Sequence, residues 1–188
     1  MLRTNESFLQ YIEQLYHSQP RKEDIIERSF TKGKKLLVQN EKPSKVMLIK
    51  SGITKCFFTE ENDKAFIVEF LGKGEILGEI ELIRNIPCLC NIEAITDVEV
   101  YAIAIPYFSE LVRSSLELNN LLLSVFAERI VNTSSRASYQ QLYTIENSLS
   151  KLLELQSKQE IELSKEDIAA YLGITVRSLN RVMKEKHI

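Results

Sequence analysis

The stretch 164-SKEDIAAYLGITVRSLNRVMKEK-186 decides how the rest of the chain is read. Ser164 suits a helix N-cap, and Asp167 stands at the third helical position, close to a capping box. Ile168 and Leu172 are four apart on one face, and the small Ala169 leaves room for a second helix to come close. Gly173 suits the left-handed residue that ends a helix. Thr175 can cap a second helix in which Leu179, Val182 and Met183 turn inward. The spacing predicts helix, tight turn, helix, the geometry that presents a second helix to the major groove of DNA.

The outward residues of that second helix are Val176, Arg177, Ser178, Asn180, Arg181 and Lys184. Arginine donates two parallel hydrogen bonds to guanine O6 and N7, and asparagine pairs with adenine. Hydroxyls and lysine suit phosphates, which fix register without reading sequence. From Thr175 onward Arg177, Arg181, Lys184 and Lys186 face one acid, Glu185, whereas the whole chain carries a net charge of −2. Contact with a polyanion therefore falls to this local patch. The competing reading is a plain helical hairpin with a solvated basic face.

Upstream, residues 117–143 contain no Pro or Gly, enough for a helix of about 40 Å. Leu118, Leu121, Leu122, Leu123, Val125, Phe126, Ile130 and Val131 make its first half apolar over a wide arc. One stripe serves packing within the chain. The extra width predicts a second partner, the same helix of another subunit, met through Leu118, Leu122, Val125, Phe126 and Ile130; the competing reading is a helix buried inside one domain. Another helix is expected around 145–157, followed by the polar connector QSKQEIE, and Pro106 suits the first turn of a preceding helix.

From about 24 to 104 the pattern changes to short apolar or alternating runs: IIERSF, KKLLVQ, KVMLIK, ITKCFF, KAFIVEFL, NIEAI and VEVYAIAI. The turn signals TKGK, NEKPS, KSG, TEEND and LGKG separate them, and five of the six glycines fall at or beside these turns. Strands so short and closely spaced predict an antiparallel roll. Before it, Phe8, Tyr11, Ile12 and Leu15 mark an amphipathic helix over 5–17 that Pro20 stops.

A chain of 188 residues, 44% apolar and 27% charged, has the make-up of a soluble globular protein with one sizeable core or two modest ones. The three cysteines, Cys56, Cys88 and Cys90, are too few for a disulfide scaffold. With no apolar run near a membrane span and no secretory pattern, the expectation is a cytoplasmic protein that contacts no membrane. No Ser-His-Asp set, P-loop or H-E-x-x-H motif stands in the sequence, and His17 and His187 are its only histidines. The expectation is not an enzyme.

The order of parts resembles the CRP/FNR family of bacterial transcription regulators, over nearly the whole chain. The likeness rests on 50-KSGITKCFF-58, 70-FLGKGEILGEIELI-83, 93-EAITDVEVYAI-103 and 167-DIAAYLGITVRSLNRVMK-184. GEIELI followed by Pro is similar to the divergent YeiL-like branch. The resemblance implies an α+β chain: an N-terminal antiparallel β-roll (a double-stranded β-helix) as sensor over 1–116, a long dimerisation helix over 117–143, and a helix-turn-helix over 144–188. It implies a homodimer on double-stranded DNA with a pseudo-palindromic operator, and contact with RNA polymerase if the regulator activates. By position, Val176, Arg177 and Arg181 would face bases, with Asn180 beside them. Ser164, Lys165, Thr175 and Ser178 would lie near phosphates, with Lys184. Arg177 stands where many members have glutamate, which implies a different target sequence. Members usually continue into a two-stranded wing; ending at Ile188, this sequence leaves no room for one, so a truncated DNA-binding end is expected.

Nucleotide-binding members carry a cassette of the form G-E-[LI]-x-L and, after a short helical turn, R-[ST]-A. Here Gly78, Glu79, Ile80 and Leu82 fit, but Glu81 replaces the usual glycine or alanine, and Cys88-Leu89-Cys90 replaces Arg-Ser-Ala. Arg84 comes about four residues early. Losing the arginine removes a charge-assisted pair worth about 1.5–3 kcal/mol, and Glu81 adds repulsion. Thr133 and Ser134 match hydroxyl positions that touch the base. The expected pocket is Gly78, Glu79, Ile80, Cys88, Leu89, Cys90, Thr133 and Ser134, with no cAMP bound and an unknown effector or none. Alternation would put Cys88 and Cys90 on one strand face. They are open to three readings: core packing, a redox switch, or a metal held in the dimer; no resident metal or cofactor is expected. Two further readings of the whole stand beside the regulator: a ligand-binding or protein-interaction module with a vestigial helix-turn-helix, and a cysteine-based redox sensor.

Overall fold

A computed structural model of the chain describes residues 2–60, 64–159 and 161–185. Lys186, His187, the chain end on which the wing expectation rests, and most of the TEEND turn lie outside these residues.

Strand β1 (Leu2–Arg3) leads into α1 (Glu6–Ser18), capped by Asn5, whose side chain accepts the Phe8 N–H at 2.9 Å. The roll then runs through β2 (Ile25–Phe30), β3 (Lys35–Leu37), β4 (Lys45–Ser51), β5 (Thr54–Thr59), β6 (Ala65–Leu71) and β7 (Ile76–Leu77). The short helix α2 (Glu79–Arg84) interrupts it before β8 (Asn91–Ala94) and β9 (Val98–Ala104). Helices α3 (Ile105–Ser114), α4 (Leu116–Leu142), α5 (Ile145–Gln159), α6 (Lys165–Leu172) and α7 (Val176–Glu185) follow. All seven expected strand runs form; β1 and β7 are additions too short to carry a pattern.

The strands make two sheets, in the orders β1-β6-β5-β8-β3 and β2-β9-β4-β7. Every pairing is antiparallel except β1 with β6. Strand β4 explains why its sequence reads as a continuous apolar run. Met47 and Ile49 point into the roll, against Val100, Ala102 and Leu77, while Val46 and Leu48 point out into a second cluster with Phe8, Ile12, Phe108 and Leu118. Both faces are buried, so alternation disappears. A third cluster lies on the outer face of the other sheet. Phe57, Ile67, Phe70 and Ile95 pack there against Leu149, Leu152, Ile168, Leu179 and Val182 of the C-terminal helices. The helix-turn-helix thus shares a core with the roll.

Glycine is required at Gly74, which has φ +82°; a Cβ there would lie 1.8 Å from the Asn5 carbonyl oxygen. That approach brings α1 onto the roll, reinforced by the Asn5 N–H donating to Lys73 O at 2.9 Å.

The wide apolar arc of α4 divides into two stripes, and the division corrects the expected dimer face. Leu118, Leu122 and Val125 are buried in the chain's own core against α1 and α3, and Phe126 packs half-buried beside them. Side chains with no free surface cannot meet a second subunit. Of the five expected contacts, Ile130 is exposed, at 67%. It belongs to an outer stripe with Leu116, Leu123 and Val131, all large apolar side chains left in solvent.

Candidate effector cradle and nucleic-acid interface

The cradle is built by a left-handed Gly78 (φ +84°) that caps α2, followed by Glu79 and Glu81, both buried. Neither carboxylate is open to a ligand. Glu79 is ion-paired with Arg129 of α4, which also donates to the Ile76 carbonyl at 2.8 Å. Arg129 reaches Glu75 at 3.6 Å, and Glu75 accepts from Arg3 at 2.6 Å; Arg3 in turn holds Glu69 at 2.9 Å. Two arginines and three glutamates from β1, β6, the Glu75 turn, α2 and α4 thus form one ion-pair cluster, buried except for the half-buried Glu69 and Arg129. The Nε atoms of Arg3 and Arg129 are buried there without a hydrogen-bond partner.

Burial pushes Glu79 and Glu75 above the usual carboxylate range, against the pull of Arg129 on both and of Arg3 on Glu75. Burial also works against the Arg129 charge, but Glu79, Glu69 and Glu75 outweigh it and hold the guanidinium protonated. A buried pair of this kind contributes little net stability, yet removing one partner strands the other charge.

Glu81 accepts the Leu89 N–H at 3.2 Å. The backbone donor at the position of the missing Arg-Ser-Ala segment is therefore taken by the chain's own carboxylate. Ile80 is half-buried and Leu89 is exposed at 47%. Arg84 is not the cation of this site. Arg129 is, and composition near the cassette gave no sign of it; the available signal was that it precedes Thr133 by one helical turn. Thr133 and Ser134 are exposed on α4. Thr133 lines a separate cleft of about 680 Å³, bounded by Val68, Arg136, Tyr139, Leu152 and Tyr171 between the roll and the C-terminal helices.

Cys88 and Cys90 lie in the irregular segment before β8 and not on a strand, which corrects the alternation argument. Both still pack toward the roll interior, Cys88 buried and Cys90 half-buried. The Cys88 N–H donates to Glu41 O and its carbonyl accepts from Asn40 N, each at 2.8 Å. Burial, with Glu81 adding to it, pushes the Cys88 thiol up to about 11. Cys56, distant in sequence, places its sulfur 2.8 Å from that of Cys90. Among the described residues no group of three or more His, Cys, Asp or Glu side chains could hold a metal ion.

The second site is the helix-turn-helix. The Asp167 N–H donates to Ser164 Oγ at 3.0 Å, Gly173 closes α6 with φ +72°, and the Ser178 N–H donates to Thr175 Oγ1 at 3.1 Å. The Asp167 carboxylate does not complete a capping box; it binds Lys55 of the roll at 2.7 Å, and Lys55 also binds Glu93 at 3.0 Å. Leu179 and Val182 are buried and Met183 is half-buried. Arg177, Asn180, Arg181 and Lys184 are exposed along α7, as are Ser164, Lys165 and Thr175 at the edge of the motif; Ser178 is half-buried. Val176, expected to face bases, is half-buried against the third cluster. Lys165 donates to Asn180 Oδ1 at 3.2 Å, so one expected phosphate contact orients one expected base contact.

Residues 27–115 match the family model of the cyclic nucleotide-binding domain. Solved structures extend the likeness over the rest. The c-di-GMP responsive global regulator CLP of Xanthomonas campestris is 18% identical with a TM-score of 0.78, over 88% of this chain and 87% of that one. A putative transcriptional regulator of the CRP/FNR family from Eubacterium rectale is 18% identical with a TM-score of 0.77, over 92% and 86%. CooA of Carboxydothermus hydrogenoformans, as a double mutant, is 18% identical with a TM-score of 0.71, over 98% and 87%. The chain therefore has the fold of the CRP/FNR-type transcription regulators. Comparison with curated protein sequences finds no match. No helix among the described residues is long and apolar enough to cross a membrane.

Proposed function

We propose that the protein is a sequence-specific DNA-binding regulator of the CRP/FNR type, acting as a homodimer on a two-fold symmetric site. The observation that carries the reading is α7. Arg177, Asn180, Arg181 and Lys184 stand in solvent on the helix that this fold presents to DNA, with Leu179 and Val182 anchoring its other face. Arg177 and Arg181 have the donor geometry for guanine, Asn180 that for adenine, and Lys184 with Thr175 and Lys165 would hold phosphates.

The dimer contact on this reading is the outer stripe of α4. Leu116, Leu123 and Ile130 recur every seven residues and are exposed at 75%, 66% and 67%, the repeat that lets two parallel helices supercoil. The roll on this reading does not bind cAMP, because Arg129 already neutralises Glu79 and Glu81 already takes the Leu89 N–H. Calorimetry with cAMP is expected to give no heat of binding at micromolar concentrations.

Selection from a random duplex library tests the central claim. Enrichment of a palindromic site, with affinity falling steeply as salt rises, is expected from phosphate neutralisation. A library that shows no enrichment, or binding indifferent to salt, would overturn it.

A further inference from the structure

We propose that Cys56 and Cys90 form an intramolecular oxidation site, closing to a disulfide with a peroxide-class oxidant and loosening the helix-turn-helix from the roll. Two thiols from segments 34 residues apart place their sulfurs 2.8 Å from each other. Cys56 is fixed on β5, opposite Ile92 of β8, and is 7% exposed. Cys90 precedes β8, half-buried, in a segment not bound into the sheet ladder. Cys90 is the more exposed residue of the pair and Cys56 the more deeply buried, the arrangement of an attacking and a resolving cysteine. The sulfur that Cys56 contacts is that of Cys90 and not that of Cys88, whose backbone is held on the Asn40–Glu41 turn.

The chemistry balances with a hydroperoxide as two-electron oxidant. Cys90, as thiolate, attacks the peroxide oxygen; the O–O bond breaks, the leaving oxygen departs as water or alcohol after taking a proton, and Cys90 becomes a sulfenic acid. The Cys56 sulfur then attacks the Cys90 sulfur, and the hydroxyl leaves as water with the Cys56 proton. Two thiols are oxidised to one disulfide while the peroxide is reduced, and an external thiol reverses the reaction.

The consequence follows from the neighbouring residue. Lys55 lies on the opposite face of β5, where its ammonium binds Asp167 of α6 at 2.7 Å and Glu93 of β8 at 3.0 Å. Glu93 is also the register partner of Lys55 in the β5–β8 ladder. A covalent bond of fixed dihedral preference on the inner face sets the twist of β5 against the start of β8. That same pair of strands positions the ammonium that holds α6. The thiol pair and the domain contact are therefore two faces of one strand pair.

The test uses the full reduced chain and hydrogen peroxide as probe. Accessible thiols under denaturing conditions should fall from three to one, with a protease-derived peptide pair linking Cys56 to Cys90 and full recovery in dithiothreitol. Cys88→Ser should keep the link; Cys90→Ser and Cys56→Ala should lose it, with thermal unfolding confirming that each variant folds. Amide exchange over Ile168–Leu172 should quicken on oxidation, and Lys55→Met should quicken it without oxidant. Three surviving thiols, a bond through Cys88 or between chains, or oxidation of Cys90 to sulfinic acid alone would overturn the site. Unchanged exchange in the disulfide form would overturn the coupling. None of these readouts uses DNA, so they fail or succeed separately from the regulator reading.

Discussion

The cradle at 78–90 and the helix-turn-helix at 164–185 both look like ligand sites in sequence, and the fold treats them in opposite ways. In the helix-turn-helix, short-range signals settle the backbone: Ser164 and Thr175 cap, Gly173 turns, and the apolar residues face in. Arg177, Arg181 and Lys184 are left standing in solvent. In the cradle the same kinds of group are turned on each other. Glu79 meets Arg129 from 50 residues away, and Glu81 meets the Leu89 N–H. A charged residue is a candidate contact only when nothing else in the fold has already neutralised it.

The sharpest way to break this contrast is Arg129→Ala. It strands Glu79 in the interior and leaves Glu75 to Arg3 alone, and chemical denaturation should show a loss of about 3–5 kcal/mol. If the variant is as stable as the parent, the cradle is not internally neutralised and stands open to an effector. Pairing Arg129→Met with Glu79→Leu should recover most of the loss, since apolar groups of similar size tolerate burial better than a lone charge.

The two stripes of α4 give the next largest separation. Leu122→Ala should lose about 2–5 kcal/mol in unfolding experiments because the side chain is 3% exposed in a packed core. Leu123→Glu should change folding stability by no more than about 0.5 kcal/mol, while shifting the sedimentation profile from dimer to monomer. If Leu123→Glu leaves the oligomeric state unchanged, the outer stripe is not the contact between subunits.

On the helix-turn-helix side, Arg177→Ala should weaken binding to a selected duplex by about 1–3 kcal/mol and relax preference at one base position in each half-site. Lys184→Ala should weaken all duplexes alike and reduce the salt slope by about one. A uniform loss from Arg177→Ala would reassign that side chain from base to phosphate. Smallest of all, Ser164→Ala should lower the melting stability by about 1 kcal/mol through the lost cap.

Cysteine reactivity sharpens the cradle further. The Cys88 thiol, buried and held up to about 11, remains protonated at pH 8. Alkylation of the native chain should mark Cys90 well before Cys88, and mass spectrometry of the labelled peptides reads the order.

The sequence by itself determined the elements that local rules govern. The roll strands, the unbroken helix after Ser115 and both helices of the C-terminal motif follow from apolar period, capping residues and turn glycines, each a matter of a few adjacent residues. The width of the apolar arc on α4 even announced that two surfaces would be served. Which residue served which surface was not legible. Leu122 and Leu123 are chemically identical, and only the angle at which α4 lies against α1 and α3 decides that one is 3% exposed and the other 66%. The same holds at the cradle. Arg129, Glu75 and Arg3 are scattered along the chain, and they pair only once β1, β6, α2 and α4 converge. The Cys56–Cys90 contact and the Lys55–Asp167 contact likewise join residues 34 and 112 positions apart. Local propensity acts through neighbours in sequence, whereas burial and charge pairing act through neighbours in space, and only the packed chain defines those.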